Sequence, residues 1–239
     1  MNLLTKGSPM KYKLSLSFLF ALACSSFITP GFAQSKFEGA YGQIGLVYES
    51  IRPNLNYSGL TISGIGTVPI SYSIGNSNSW NGVATVGYMG SISSNFILGI
   101  GAEYEPFMSK SASFVAPTLN SNNGSWYKQN SYNIFISPAT PIGDDGLLYG
   151  KIGYAGQTLK DSGSGAPNTF NLTGYSLGLG YKQIISGGWY GYGEINYFNL
   201  SASAVPFSGV YAAGGRAWSY TNTASTNTSN AVIGLGYKF

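Results

Sequence analysis

From Phe37 onward the chain keeps returning to one pattern, a segment of about ten residues with large apolar side chains at every second position. Successive side chains of an extended backbone point to opposite faces, so a period of two marks a strand; a helix would repeat every 3.6 residues. The last nine residues are the clearest case. Ile233, Leu235, Tyr237 and Phe239 fall on one face, and Val232, Gly234, Gly236 and Lys238 on the other. A water-soluble sheet buries its large apolar face and wets the other. A small membrane barrel turns the large apolar face to lipid and keeps small or polar groups for its lumen. The alternation alone leaves both open.

The pattern occurs eight times, at about 37–48, 81–91, 96–104, 127–137, 147–156, 171–183, 189–200 and 227–239. In the third segment Phe96, Leu98, Ile100, Ala102 and Tyr104 oppose Gly99, Gly101 and Glu103. In the sixth, Tyr175, Leu177, Leu179 and Tyr181 oppose Gly178, Gly180 and Lys182. The seventh is less clean, with aromatics on both faces; Glu194 and Asn196 share one parity, Ile195 and Tyr197 the other. The connections 92–95, 140–146 and 185–188 are short, whereas 50–80, 105–126, 157–170 and 201–226 are long and polar. A sandwich has no reason to segregate its loops this way. An outer-membrane barrel does, with short periplasmic turns and long extracellular loops. We therefore expect an all-β, eight-stranded antiparallel up-and-down transmembrane barrel over residues 34–239.

Within 50–80, residues 60–62 and 70–74 also read as short strands. They form either a hairpin above the membrane or two further spans, making ten. Pro53, Pro69 and several glycines disfavour full spans of about 9–11 residues. Aromatics gather at segment ends, as in the two interfacial girdles of a barrel. Phe37, Phe96, Tyr181, Trp189, Tyr237 and Phe239 lie on the turn side, and Tyr48, Tyr104, Trp126, Tyr154 and Tyr197 on the loop side.

Composition supports the barrel. Only 8% of residues are charged, against about 25% in ordinary soluble domains, and no apolar run of helix-spanning length follows the N-terminus. The N-terminal 33 residues read as a signal peptide. Met10–Lys13 is basic, 14–23 is apolar, and small residues precede a cleavage point between Ala33 and Gln34. Translation starting at Met10 fits this equally. Cys24, the sole cysteine, falls in this leader; a lipoprotein signal there would want Leu where Ala21 stands. Three of the lysines behind the net charge of +4 are also in the leader, so no basic patch points to nucleic acid.

The C-terminal residues resemble the OmpA-like, opacity-type family of small outer-membrane β-barrels. Gly234, Tyr237 and Phe239 look like that family's assembly signal, a glycine followed by two aromatics that bracket one residue. Val232 departs from the pattern, which prefers a polar residue there. The resemblance implies insertion by the barrel-assembly machinery, and outer-membrane lipid and lipopolysaccharide as surroundings. It also implies a structural or surface-interaction role, with narrow channels as the other outcome known in the family. A peptidoglycan-binding domain after the last strand, which some members of that family carry, is not expected. A surface ligand is not specified.

The chain has no histidine, which removes Ser-His-Asp chemistry and most zinc sites; we expect no enzyme, cofactor or metal. Asp144-Asp145, beside Gly143 and Gly146, reads as turn chemistry, with a cation site as the alternative. The Gly-x-Gly steps at 99–101, 178–180, 191–193 and 234–236 lack the strand-to-helix context of phosphate loops and are expected to line a narrow lumen. The informative charges are Glu103, Lys151, Lys182, Glu194 and Lys238. Each opposes the apolar face of its strand, and a Lys on the lipid face would cost about 2–4 kcal/mol at midplane. They are expected inside, either as a paired plug or as a gate.

Overall fold

A computed structural model of the chain describes residues 35–69, 73–115, 124–162, 169–202, 204–211 and 214–239. The expected leader, with Cys24 and the cleavage point at Ala33 and Gln34, lies outside the described residues. No helix forms among those that are described. The strands are β1 (Gly39–Tyr57), β2 (Leu60–Ile62), β3 (Gly66–Val68), β4 (Ser73–Ile74), β5 (Ser77–Ser93), β6 (Phe96–Glu105), β7 (Ala112–Val115), β8 (Gly124–Ile142), β9 (Gly146–Ser162), β10 (Thr169–Ser186), β11 (Trp189–Ser201), β12 (Val205–Val210) and β13 (Ala217–Lys238).

Eight of these close a ring in the order β1-β5-β6-β8-β9-β10-β11-β13, all antiparallel, and β13 returns to pair with β1. The closing seam runs from Tyr41 opposite Lys238 to Tyr57 opposite Asn222 and removes both sheet edges. The five short strands lie in the long connections. β2 and β3 form a hairpin whose β2 adds to β13 at Trp218, while β4 pairs with β7 from the next loop. Neither pairing makes a further span. Of the segment at 70–74 the described residues Ser73 and Ile74 pair with β7 and not with β2.

The wall strands are longer than the sequence segments. β13 has 22 residues, and β1 and β8 have 19 each, about twice what a tilted strand needs to cross a bilayer. The loop boundaries at 50, 157 and 226 move accordingly, because ladder pairing continues through Ser-, Thr- and Asn-rich sequence. A belt of large apolar side chains faces out all round, including Ile44 and Ile233 at 69% exposure. An exposed apolar ring of this extent needs lipid as its solvent.

Phe96, Tyr181, Trp189, Tyr237 and Phe239 are exposed at the turn side, with Trp189 edge-on to Tyr237 at 5.2 Å. Tyr48, Tyr104, Tyr154 and Tyr197 are exposed toward the loops, and Trp80 joins Tyr48 at 5.0 Å. Two girdle assignments are corrected. Phe37 precedes β1 and turns into the lumen floor. Trp126 has the inward parity of β8 and donates its indole N–H to the Gly75 carbonyl at 3.1 Å.

Candidate functional site: the barrel lumen

The inward positions are not uniformly small. Tyr41, Phe135, Tyr149, Tyr190 and Tyr192 all project into the lumen and are buried. Register explains how a narrow barrel admits them. Each stands directly across the ladder from a glycine: Tyr41 from Gly87, Phe135 from Gly101, Tyr149 from Gly180, Tyr190 from Gly236 and Tyr192 from Gly234. A Cβ at Gly180 would meet the Tyr149 ring at 2.5 Å and the Glu194 Cγ at 2.8 Å. The ring occupies the space a side chain at the glycine would need, a device that shields a glycine in a sheet. One expected lumen pair is corrected. Gly191 and Gly193 share the outward parity of Ile195, and Tyr190, Tyr192, Glu194 and Asn196 of β11 face in.

From the turn side upward, the interior is layered. Phe37, Met89, Ile97 and Leu147 make an apolar floor. Above it Lys182 is buried with its ammonium 3.8 Å from the Tyr41 ring centre, 4.9 Å from that of Tyr190 and 5.2 Å from that of Tyr149. It makes no ion pair among the described residues. The expected pairing of this lysine with a carboxylate is corrected: ring faces hold it, an attraction worth about 2 kcal/mol when desolvated.

The next layer is a triad. The Lys151 ammonium donates to Glu103 and, at 2.9 Å, to Glu194 Oε2. Tyr149 donates to Glu194 Oε1 at 2.5 Å, and Asn133 donates to Glu103 Oε2 at 3.0 Å. Four strands, β6, β8, β9 and β11, meet in this layer, so it ties opposite walls together. A second triad follows. Lys128 Nζ lies 2.5 Å from Glu49 Oε2 and 2.6 Å from Glu105 Oε2. Ser79 donates to Glu49 Oε1 at 3.0 Å, and Asn81 donates to the same oxygen. Toward the loops, Ile51, Leu159, Phe170, Leu172, Leu200 and Trp126 form an apolar roof.

Of the five charges singled out in the sequence, Glu103, Lys151 and Glu194 come together, Lys182 stands one layer below, and Lys238 does not join. Lys238 pairs with Tyr41 at the last rung of the seam, is half-buried at the rim, and its chain packs on Gly39. The second triad was missed. Glu49 has the inward parity of β1, but Glu105 opens a segment read as loop, and Lys128 stands near the start of the fourth strand segment, before its bulge. Continuing the parity of 103 leads to 105; the odd parity of 133 leads back to 131 and 129, so Lys128 faces inward only because the β8 bulge switches the faces, and no sequence signal points to it. β8 carries a bulge between Gln129 and Tyr132, with Asn130 at φ 52°. Asp145 accepts from Lys36 at 2.8 Å in an exposed pair at the turn side.

Chemically the lumen holds charged layers stacked between an apolar floor and an apolar roof, with every charged group of the two triads tied to at least one opposite charge. The family model described as outer membrane protein beta-barrel domain matches residues 19–239. No curated protein matches the chain. Among solved structures, the outer membrane protein OprG from Pseudomonas aeruginosa shares 14% identity at a TM-score of 0.60, covering 86% of this chain and 98% of its own. Ail, the attachment invasion locus protein of Yersinia pestis, shares 13% at a TM-score of 0.45, covering 84% and 99%. Neisserial surface protein A shares 9% at 0.47, covering 84% and 98%. At these identities the likeness to OprG concerns the fold alone.

Proposed function

Because this chain belongs to the outer membrane protein beta-barrel domain family, and is an integral barrel of the bacterial outer membrane, we propose that it serves as a closed envelope protein whose side chains plug the lumen. Its work then falls to the surface loops. The observation that carries this reading is the stacking of two lysine-centred triads between an apolar floor and an apolar roof. Opening a path would require breaking buried ion pairs and parting both apolar layers. An unpartnered buried charge is strongly destabilising, so the closed arrangement holds itself shut.

The surface role is structural or adhesive. The loops are rich in Ser, Asn, Thr and Gly and poor in charge, which suits a hydrated surface beside lipopolysaccharide. The proposed route into the membrane is the barrel-assembly machinery, reading Gly234, Tyr237 and Phe239. The protein is proposed to be non-catalytic, since a chain with no histidine lacks the usual general base. Planar-bilayer recording tests the plug. Purified protein is expected to leave the bilayer silent. Discrete channels from wild type, lost or altered in Glu103→Gln or Lys151→Met, would replace the plug with a narrow pore.

A further inference from the structure

Between the two triads lies a space that neither fills. It measures about 20 Å³, enough for one or two water-sized occupants. Glu49, Glu103, Glu105, Lys128, Thr228 and Asn230 contribute to its wall. The β8 bulge brings Ser131 to the same wall.

Two independent observations make this a place for a positive ion. The first is charge. The polar layers hold four carboxylates, Glu49, Glu103, Glu105 and Glu194, against three ammonium groups, Lys128, Lys151 and Lys182. One positive charge is missing. Lys182 also stands apart among tyrosine rings on the far side of the Glu194 layer. Glu38, buried at the start of β1, belongs to the opposite end of the barrel. The cavity wall itself thus carries three carboxylates and one ammonium. Buried negative charge without a counter-charge is strongly disfavoured.

The second observation is Thr228. Thr228 lines the cavity, and its hydroxyl is buried with no hydrogen-bond partner among the described residues. A buried hydroxyl is normally satisfied, and an orphan asks for an occupant. A water would satisfy the hydroxyl but supply no charge. A cation does both, because the hydroxyl oxygen can act as a ligand.

We propose that the cavity between the triads binds a monovalent metal cation, K⁺ or Na⁺, with carboxylate oxygen and the Thr228 hydroxyl among its ligands. A single missing charge calls for a single positive charge. Among the described residues no three acidic side chains are grouped to hold a metal ion by themselves, so the proposed ligand set is mixed, carboxylate and hydroxyl oxygen together. The site shares its carboxylates with the ion pairs that close the lumen, and the proposal stands whether or not the barrel conducts.

The test uses the folded protein in detergent and thallous ion as the crystallographic probe. Crystals soaked in Tl⁺ should show an anomalous peak in the cavity for wild type and none for Glu105→Gln, which removes the charge deficit. In solution, the midpoint of heat-induced unfolding should be higher in KCl or NaCl than in N-methylglucamine chloride at equal ionic strength. A shift of about 3 °C or more corresponds to an ion well above its Kd. The difference should vanish in E105Q. Thr228→Val, which keeps every charge, should need a several-fold higher K⁺ concentration for half the effect, and it carries the test if E105Q does not fold. An empty cavity in Tl⁺, or equal midpoints in all three salts, overturns the proposal. So does an infrared band of a protonated carboxyl group in wild type that E105Q removes, because a proton then balances the charge.

Discussion

Replacing Lys128 by Met should separate the strength of the upper triad from the cost of breaking it. The ammonium is 2% exposed and sits 2.5 Å from Glu49 and 2.6 Å from Glu105. At an effective dielectric near 20, a pair 2.6 Å apart attracts by roughly 6 kcal/mol. Two such pairs roughly offset the several kcal/mol needed to dehydrate each of three ions, so the intact triad contributes little net stability. Removing only the lysine leaves Glu49, fully buried, facing Glu105 with nothing between them. The expected cost is about 3–5 kcal/mol, a shift of about 150- to 5000-fold in the folded-to-unfolded ratio. Glu49→Gln should cost far less, since Lys128 keeps Glu105 and the amide can still meet Ser79 and Asn81. The triple neutral variant Lys128→Met, Glu49→Gln, Glu105→Gln should recover most of the loss. Urea titration of the protein in lipid vesicles, read by the gel shift between heated and unheated samples, gives all three values. If K128M costs under about 1 kcal/mol, or if the triple variant is no better than K128M, the triad is not desolvated and the reasoning fails.

Gly180→Ala should destabilise by about 1–3 kcal/mol in the same titration, because its Cβ enters the Tyr149 ring and the Glu194 chain; Gly193→Ala, facing out with ordinary contacts only, should be close to neutral. Phe239→Ala should lower the amount of barrel reaching the outer membrane in cells while leaving refolding of purified protein into vesicles intact; equal assembly in cells would remove the assembly-signal reading. Lys36 is held by a hydrogen bond from its ammonium to Asp145 and by that carboxylate's charge, which raise its pKa above the ordinary 10.5. A raised amine contributes its stabilisation fully below its unfolded value and loses it only as pH climbs through the folded value. Any effect of Lys36→Ala on unfolding should therefore be the same at about pH 6 and pH 9.

The faces of the wall were legible in the sequence because parity is local. Whether Ile100 or Gly101 faces lipid depends only on which of two neighbours is large and apolar, and each clean segment settles this for itself. Strand length was not legible, since Ser, Thr and Asn are weak strand formers. In β13 the polar run from Asn222 to Thr226 reads as loop, although the ladder continues through it to Asn230. Its alternation persists, however: Asn222, Ala224, Thr226, Thr228 and Asn230 are buried, while Asn227 and Ser229 are exposed. A strand whose inward face is polar and whose outward face is small presents no apolar contrast to detect.

The lumen was half legible for a different reason. Expelling charge from lipid is a one-body argument, so Glu103, Lys151, Lys182 and Glu194 could each be sent inward without knowing any neighbour. Who meets whom is a two-body question that needs register. Tyr149 lies across from Gly180, and this single pairing lets a ring into the lumen, puts its hydroxyl on Glu194 and its face near Lys182. Reading large groups out and small groups in misses it, because the rule treats glycine as a sign of narrowness. Across five rungs the glycine is instead the seat of an aromatic on the next strand. The aromatic face then substitutes for a carboxylate at Lys182. Where the glycines fall thus decides where Lys182 stands, and four carboxylates share the other two ammonium groups in the layers above.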